Sequence, residues 1–289
     1  MHDADIAHFL TFGFVVLRRH FDPTELSAEL DRAIEDGHPP RAEPARVGAR
    51  LGGDLLPFRY VPMMNERTPA SLALLDHFAP FAAALLGVPV LPVRAKGVEY
   101  QGSSQWHRDS DGAWPSIGFA AYLEPLRGPT GALRVIPGSH VGEFAASVAR
   151  YIGVTPSAAS HDGEARVERV PARAIDSDPG DVIAFDERLF HASFQHPGAV
   201  APRRQWRVDF VAAPVQASQE PALAAWFGSL YQPGWDGGYD VDLFPSYGEH
   251  WRASGRPWVE TLSRLGVYAA AGRQEDFMRS QRSVATAQG

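Results

Sequence analysis

Trp106-His107-Arg108-Asp109, followed 84 residues later by His191 inside another hydrophobic run, is the stretch on which the reading turns. A His-x-Asp pair with a remote histidine is the ligand set of a 2-His-1-carboxylate facial triad. Such a triad leaves open positions on a non-haem Fe(II) centre. On a β-strand, residues i and i+2 project from one face, so His107 and Asp109 are expected to reach a single metal. The third ligand must then come from a neighbouring strand, and this demands a sheet-built core.

The pair alone is weak, because the chain has 11 histidines and a second copy, His20-Phe21-Asp22. There Asp22 precedes Pro23, which reads as a helix N-cap with proline at the first helical position. His20 is therefore set aside as a ligand. His107 and Asp109 differ because a series of strand-like blocks lies downstream of them. Ile117-Gly118-Phe119-Ala120-Ala121-Tyr122-Leu123 is an apolar run suited to a buried strand. Gly131 to His140 gives a strand closed by a Pro-Gly turn, and Pro179-Gly180-Asp181 is a turn leading into Val182-Ile183-Ala184-Phe185. A short Asp186-Glu187-Arg188 link then reaches Leu189-Phe190-His191, and Pro202 to Val211 reads as a strand with arginines at its start.

With these blocks in order, the chain resembles the phytanoyl-CoA dioxygenase family of Fe(II)/2-oxoglutarate oxygenases. The resemblance rests on WHRD at 106–109, GALRVIPGSH at 131–140, PGDVIAFDERLFHAS at 179–193 and PRRQWRVDFV at 202–211, with FLTFGFVVLRRHFDPTEL at 9–26 as the opening. It implies a mostly β chain with flanking helices around a double-stranded β-helix, a cupin-like jelly roll. It also implies that His107, Asp109 and His191 bind Fe(2+), with 2-oxoglutarate and dioxygen as co-substrates. An arginine 11 or 12 residues after the distal histidine would pair with the far carboxylate of 2-oxoglutarate. Arg203 fits that spacing. Its planar fork can give a carboxylate two parallel charge-assisted hydrogen bonds. Arg204 should face the opposite side of the strand, while Arg207 shares the face of Arg203 and is its rival. Ser193 resembles a family position whose hydroxyl helps to hold the co-substrate, and Tyr122 and Gln101 are further candidates for its pocket. His140 is read as a structural loop residue. Halogenases of this kind replace the carboxylate ligand by a small residue, so Asp109 favours hydroxylation, desaturation or ring formation.

Composition sets the outer bounds. The 289 residues carry a net charge of −7 with acids and bases dispersed, and no basic stripe suggests a nucleic-acid partner. There is no cysteine, which excludes disulfides and thiolate metal sites. Lys96 is the only lysine. No signal sequence and no run of about 18 apolar residues is read, so a cytoplasmic protein without a membrane span is expected, as a monomer or homodimer. The whole chain, 1–289, reads as one catalytic domain. Residues of about 90–213 would form the jelly roll and 1–89 a helical flank. The stretch 218–289 would be an aromatic-rich cap, lid or dimer surface. Within the flank, 38–57 reads as a loop and 69–86 as two short helices parted by Pro80. Residues 142–152 read as a helix and 155–166 as a polar loop.

The expected substrate is a small organic molecule with apolar surface, contacted by Trp114 and the aromatic tail, and the expected setting is bacterial secondary metabolism. Two other functions fit the same residues: a cupin-like isomerase or hydrolase that uses a metal without 2-oxoglutarate, and a jelly roll that only binds a small molecule.

Overall fold

Side chains that alternate between two faces build the centre of the molecule. In the computed structural model, residues 1–38, 50–51, 54–55, 58–153, 169–199, 201–230, 239–247 and 249–267 are described. The larger antiparallel sheet has six strands in the order β1 (Phe14–Leu17), β10 (Val182–Asp186), β7 (Ser116–Tyr122), β12 (Arg203–Ala212), β5 (Val90–Tyr100) and β4 (Phe58–Pro62). The smaller has four, β6 (Ser104–His107), β11 (His191–Gln195), β8 (Thr130–Val135) and β9 (Arg173–Ile175). A two-residue hairpin, β2 (Arg50–Leu51) and β3 (Asp54–Leu55), forms a sheet of its own. The two large sheets form the expected jelly roll.

Three apolar clusters sort by face. Phe14, Ala120, Tyr122, Leu133, Val135, Ile183 and Phe185 come from both sheets and, with Leu189 from the link between β10 and β11, form one cluster between them. Trp106, Ile136, Phe190 and Ala192 lie behind the smaller sheet, where helix α4 (Gly142–Ile152) covers them with Val148, Ala149 and Ile152. The largest cluster lies behind the six-stranded sheet and takes Trp206, Val208 and Phe210 from β12.

Helices form the other side of that large cluster. α1 (Asp3–Phe12) stops at Gly13, whose left-handed φ of 83° suits a residue without a side chain. α2 (Pro23–Gly37) begins as the sequence predicts: the Asp22 carboxylate accepts from the Thr24 amide at 3.0 Å, and Leu26, Leu30 and Ile34 are buried one turn apart. The expected break at Pro80 does not occur. α3 runs unbroken from Pro69 to Leu86 with Pro80 inside it. Its residues Leu72, Leu75, Phe78, Ala82 and Leu85 are buried in the large cluster, and that packing holds the helix across the amide hydrogen bond that proline cannot make. By length and composition the same helix is long and apolar enough to cross a membrane, but its apolar face is buried in the large cluster.

The aromatic tail packs on the same side. Trp226 and Phe227 of α5 (Glu220–Ser229), with Tyr239, Phe244, Tyr247 and Trp251, join the large cluster, and the Tyr247 hydroxyl donates to the carbonyl of Pro92 at 2.6 Å. The stretch read as a loop at 38–57 contains the β2–β3 hairpin, while its residues 39–49, the loop read at 155–166 and the final residues of the tail fall outside the described residues.

Candidate metal centre

His107 closes β6 and His191 opens β11, and the two are directly opposite in the antiparallel register. Their rings lie 4.2 Å apart between centroids. Asp109 sits just past the end of β6, so strand alternation alone does not aim it. Its amide and that of Ser110 donate to the carbonyl of Glu187, at 2.9 and 3.0 Å, and this loop contact turns the carboxylate inward. Asp109 Oδ1 lies 3.5 Å from His107 Nε2, and Oδ2 lies 3.2 Å from His191 Nε2. One ligand atom from each residue falls within 4.8 Å of the others.

Each histidine is oriented by its other nitrogen. His107 Nδ1 meets the carbonyl of Gln105 at 2.8 Å, and His191 Nδ1 meets that of Leu189 at 2.9 Å. A carbonyl there requires the proton on Nδ1 and leaves the Nε2 lone pair for a metal. Burial, together with the neighbouring His191, pushes the His107 pKa down to about 4, so this imidazole is neutral near pH 7. Burial acts to raise the Asp109 carboxyl, but Arg207 and the two histidines outweigh it and hold Asp109 well below the usual carboxylate range. Two imidazole Nε2 atoms and an ionised carboxylate are the donor set that a divalent iron takes.

Behind the cluster lie charges that sequence reading did not connect to it. Arg207 reaches Asp109, Glu187 and Asp209, and Lys96 meets Asp209 at 2.5 Å. Burial and the nearby Asp209 push the Glu187 carboxyl up to about 8. The signal was present in the alternation of β12, where Arg203, Gln205, Arg207 and Asp209 interleave with Trp206, Val208 and Phe210. An inward row of charges on a buried strand needs partners.

The structure places the remaining sequence candidates on both sides of the sheet. Arg203 is buried beside Tyr100, its guanidinium carbon 4.2 Å from the ring centroid. It donates to the carbonyls of Gly131, at 2.7 Å, and Gly102, while its buried Nε has no partner among the described residues. Gly131 makes this possible, because a Cβ there would stand 2.1 Å from Arg203 Nη1. Tyr122 is buried in the inter-sheet cluster and hydrogen-bonded to Tyr100, and burial followed by Tyr100 holds its hydroxyl well above the ordinary value. Ser193 and Ser104 face each other across β11 and β6, with hydroxyls 3.0 Å apart. Gln101 adjoins Gly102, whose carbonyl Arg203 uses. Trp114 donates its indole N–H to the carbonyl of Ala212 at 2.7 Å and packs against the large outer cluster, away from the inter-sheet residues. Arg204 lies on the outer face as expected, paired with Glu124 and Asp31. His140 is buried in its loop, so close to Gly13 that a Cβ there would meet its ring at 2.7 Å. His20 packs with His77, Phe78 and Phe81, remote from the metal residues in the fold.

Solved structures share this architecture. EvdMO1 is 21% identical with a TM-score of 0.52, the match covering 73% of this chain and 50% of EvdMO1, so the chain spans half the length of that protein. SnoK, a non-haem α-ketoglutarate-dependent carbocyclase of nogalamycin biosynthesis, is 17% identical with a TM-score of 0.54, over 74% of this chain and 85% of SnoK. The epimerase SnoN in complex with Fe3+, α-ketoglutarate and nogalamycin RO is 17% identical with a TM-score of 0.52, over 73% of this chain and 83% of SnoN. No curated protein matches the chain.

A jelly roll carrying a His-Asp-His triad defines the class, a non-haem iron oxygenase that uses 2-oxoglutarate. The chain belongs to the phytanoyl-CoA dioxygenase (PhyH) family, whose model matches residues 9–204.

Proposed function

We propose that this enzyme hydroxylates, desaturates or cyclises a small organic molecule in bacterial secondary metabolism. In this reading His107, Asp109 and His191 hold Fe(II), and Arg203 anchors 2-oxoglutarate by its far carboxylate. When bound, the iron and co-substrate supply the oxidising power: 2-oxoglutarate is decarboxylated to succinate, dioxygen is reduced and a substrate C–H bond is oxidised. The chain's part is to orient the reactants and exclude water.

The observation that carries the reading is the contrast between two arginines on one strand face. Each nitrogen of Arg207 is already on a carboxylate. Arg203 has only two of its five N–H groups on backbone carbonyls, and its buried Nε stands unpartnered among the described residues. A buried donor without an acceptor is costly, and a dicarboxylate would satisfy it. Tyr122 and Ser193 are assigned to line the same end of the site, with Gln101 next to the Gly102 carbonyl. Trp114 has its indole N–H occupied, so it would offer a substrate only a ring face. Retention of Asp109 favours oxygen chemistry over halide transfer. SnoK and SnoN, both named for nogalamycin biosynthesis, support a natural-product substrate.

The test is a calorimetric titration of metal-free protein with Fe(II) under nitrogen and then with 2-oxoglutarate, and after it a screen of small molecules for stimulated succinate release in air. Sequential binding of both is expected. Iron binding without 2-oxoglutarate binding would point to the isomerase or hydrolase. Binding of neither would leave a small-molecule carrier.

A further inference from the structure

The three nitrogens of Arg207 meet three different carboxylates. Nη1 donates to Asp109 Oδ2 at 2.9 Å, Nη2 to Glu187 Oε1 at 2.8 Å and Nε to Asp209 Oδ1 at 2.5 Å. Lys96 holds the other oxygen of Asp209 at 2.5 Å. The guanidinium carbon lies 5.0 Å from the centroid of Phe185, and that ring lies 5.1 Å from the imidazole of His191. The strand leaves room for this arrangement at Gly118, where a Cβ would stand 3.0 Å from Arg207 Nη2, 3.1 Å from Asp209 Oδ1 and 3.2 Å from Phe185. A glycine inside a buried strand often marks such a close approach.

An arginine engaged in this way has little left to offer a ligand, but it fixes Asp109. Oδ2 carries the charge-assisted bond from Arg207 and lies 3.2 Å from His191 Nε2, while Oδ1 lies 3.5 Å from His107 Nε2 and takes no bond from Arg207. A carboxylate with both oxygens free can close on a cation with both and take up a position that a bidentate 2-oxo acid needs. One tied to a guanidinium must first break a strong hydrogen bond to do so. We propose that Arg207 is a positioning residue that keeps one oxygen of Asp109 off the metal, so that the carboxylate ligates through the other alone and the open coordination positions are preserved for co-substrate and dioxygen. Glu187, Asp209 and Lys96 fix Arg207 in turn. This inference rests on the metal reading given under the proposed function.

Cobalt(II) is the probe, because its visible spectrum reports coordination number without turnover. The proteins compared are wild type, Arg207→Lys, which keeps the charge without the fork, and the pair Arg207→Gln with Glu187→Gln, which removes the guanidinium and puts an amide in place of the Glu187 carboxyl that it meets. For each, the melting temperature of the metal-free protein, the Co(II) affinity, the Co(II) absorption bands and the response of those bands to 2-oxoglutarate are measured. Loss of a residue that orients a ligand typically weakens metal affinity by roughly 10- to 100-fold. The double variant should show that loss, shifted bands before co-substrate is added, and a higher 2-oxoglutarate concentration at half-response. Arg207→Lys should fall between it and wild type. If a folded variant binds Co(II) with wild-type affinity and bands, and differs only in melting temperature, Arg207 is structural and the inference is overturned. Wild-type protein that binds no Co(II) would overturn the metal reading, and this inference with it.

Discussion

The two faces of β12 do opposite work. Outward, Trp206, Val208 and Phe210 are fully buried against α3 and the aromatic tail. Inward, Arg203 and Asp209 are almost as deeply buried and Arg207 is partly buried, yet they carry charge and meet specific partners. Burial by itself therefore does not distinguish packing from chemistry in this molecule; the difference lies in what each buried group demands. An apolar side chain needs only close neighbours, and any well-shaped set will serve. A buried charge needs specific partners at specific distances. The helices and tail thus support the sheet from outside, which leaves the inter-sheet face free to hold polar groups.

If the inner face holds the chemistry, the largest effect comes from the ligands. Replacing His107, Asp109 or His191 singly with Ala should abolish iron-dependent turnover, because each supplies one of three protein bonds. His20→Ala, on the outer aromatic cluster, should keep it. Iron analysis and succinate release check both, and loss of iron in His20→Ala alone would break the comparison. Next comes the outer face. Trp206→Ala empties a large buried site and removes the hydrogen bond that its indole N–H gives the Ser71 hydroxyl at 2.7 Å, which keeps its own bond to the Met63 carbonyl. It should cost about 3–5 kcal/mol of stability in urea unfolding. The 2-oxoglutarate KM of its folded fraction should stay near wild type, and a large rise there would mean that the faces are not separable.

Smaller effects sharpen the division. Arg203→Gln should raise the 2-oxoglutarate KM roughly 30-fold or more, since truncating one partner of a buried charged pair costs about 2–5 kcal/mol. Iron binding should be retained. Gly131→Ala should reproduce part of that loss without touching a charge, because its Cβ displaces the Arg203 guanidinium and its φ of 103° disfavours a side chain. If Arg203→Gln has a normal KM, the anchor lies elsewhere on the strand. Arg204→Ala, which releases a partly buried pair with Glu124 and a more exposed one with Asp31, should change stability by only about 1 kcal/mol and leave KM alone.

The order of the blocks and the apolar runs made the sheet core legible, the helix start at Asp22-Pro23 was legible from its cap, and a helix over 142–152 was expected and found. The metal residues were legible as a pattern. The aim of Asp109 was not: it depends on a loop carbonyl at Glu187, far away along the chain. The charges around Arg207 escaped for the same reason. Lys96, Glu187 and Asp209 lie on separate segments, and only the folded sheet brings them together. Pro80 misled because a local steric rule was outweighed by the apolar face of α3, an effect no short window of sequence contains. The packing of Trp114 was not legible either, since proximity to the metal pair along the chain says nothing about the face on which an indole packs.

The only side-chain amine of this protein is half-buried and ends a line of charges, held on Asp209. Lys96 is thus a reporter that needs no engineering. In the native state, an acylating reagent should modify the chain at its terminal amine, and the rate at which a second acyl group appears by mass spectrometry should track the opening of the sheet around Asp209.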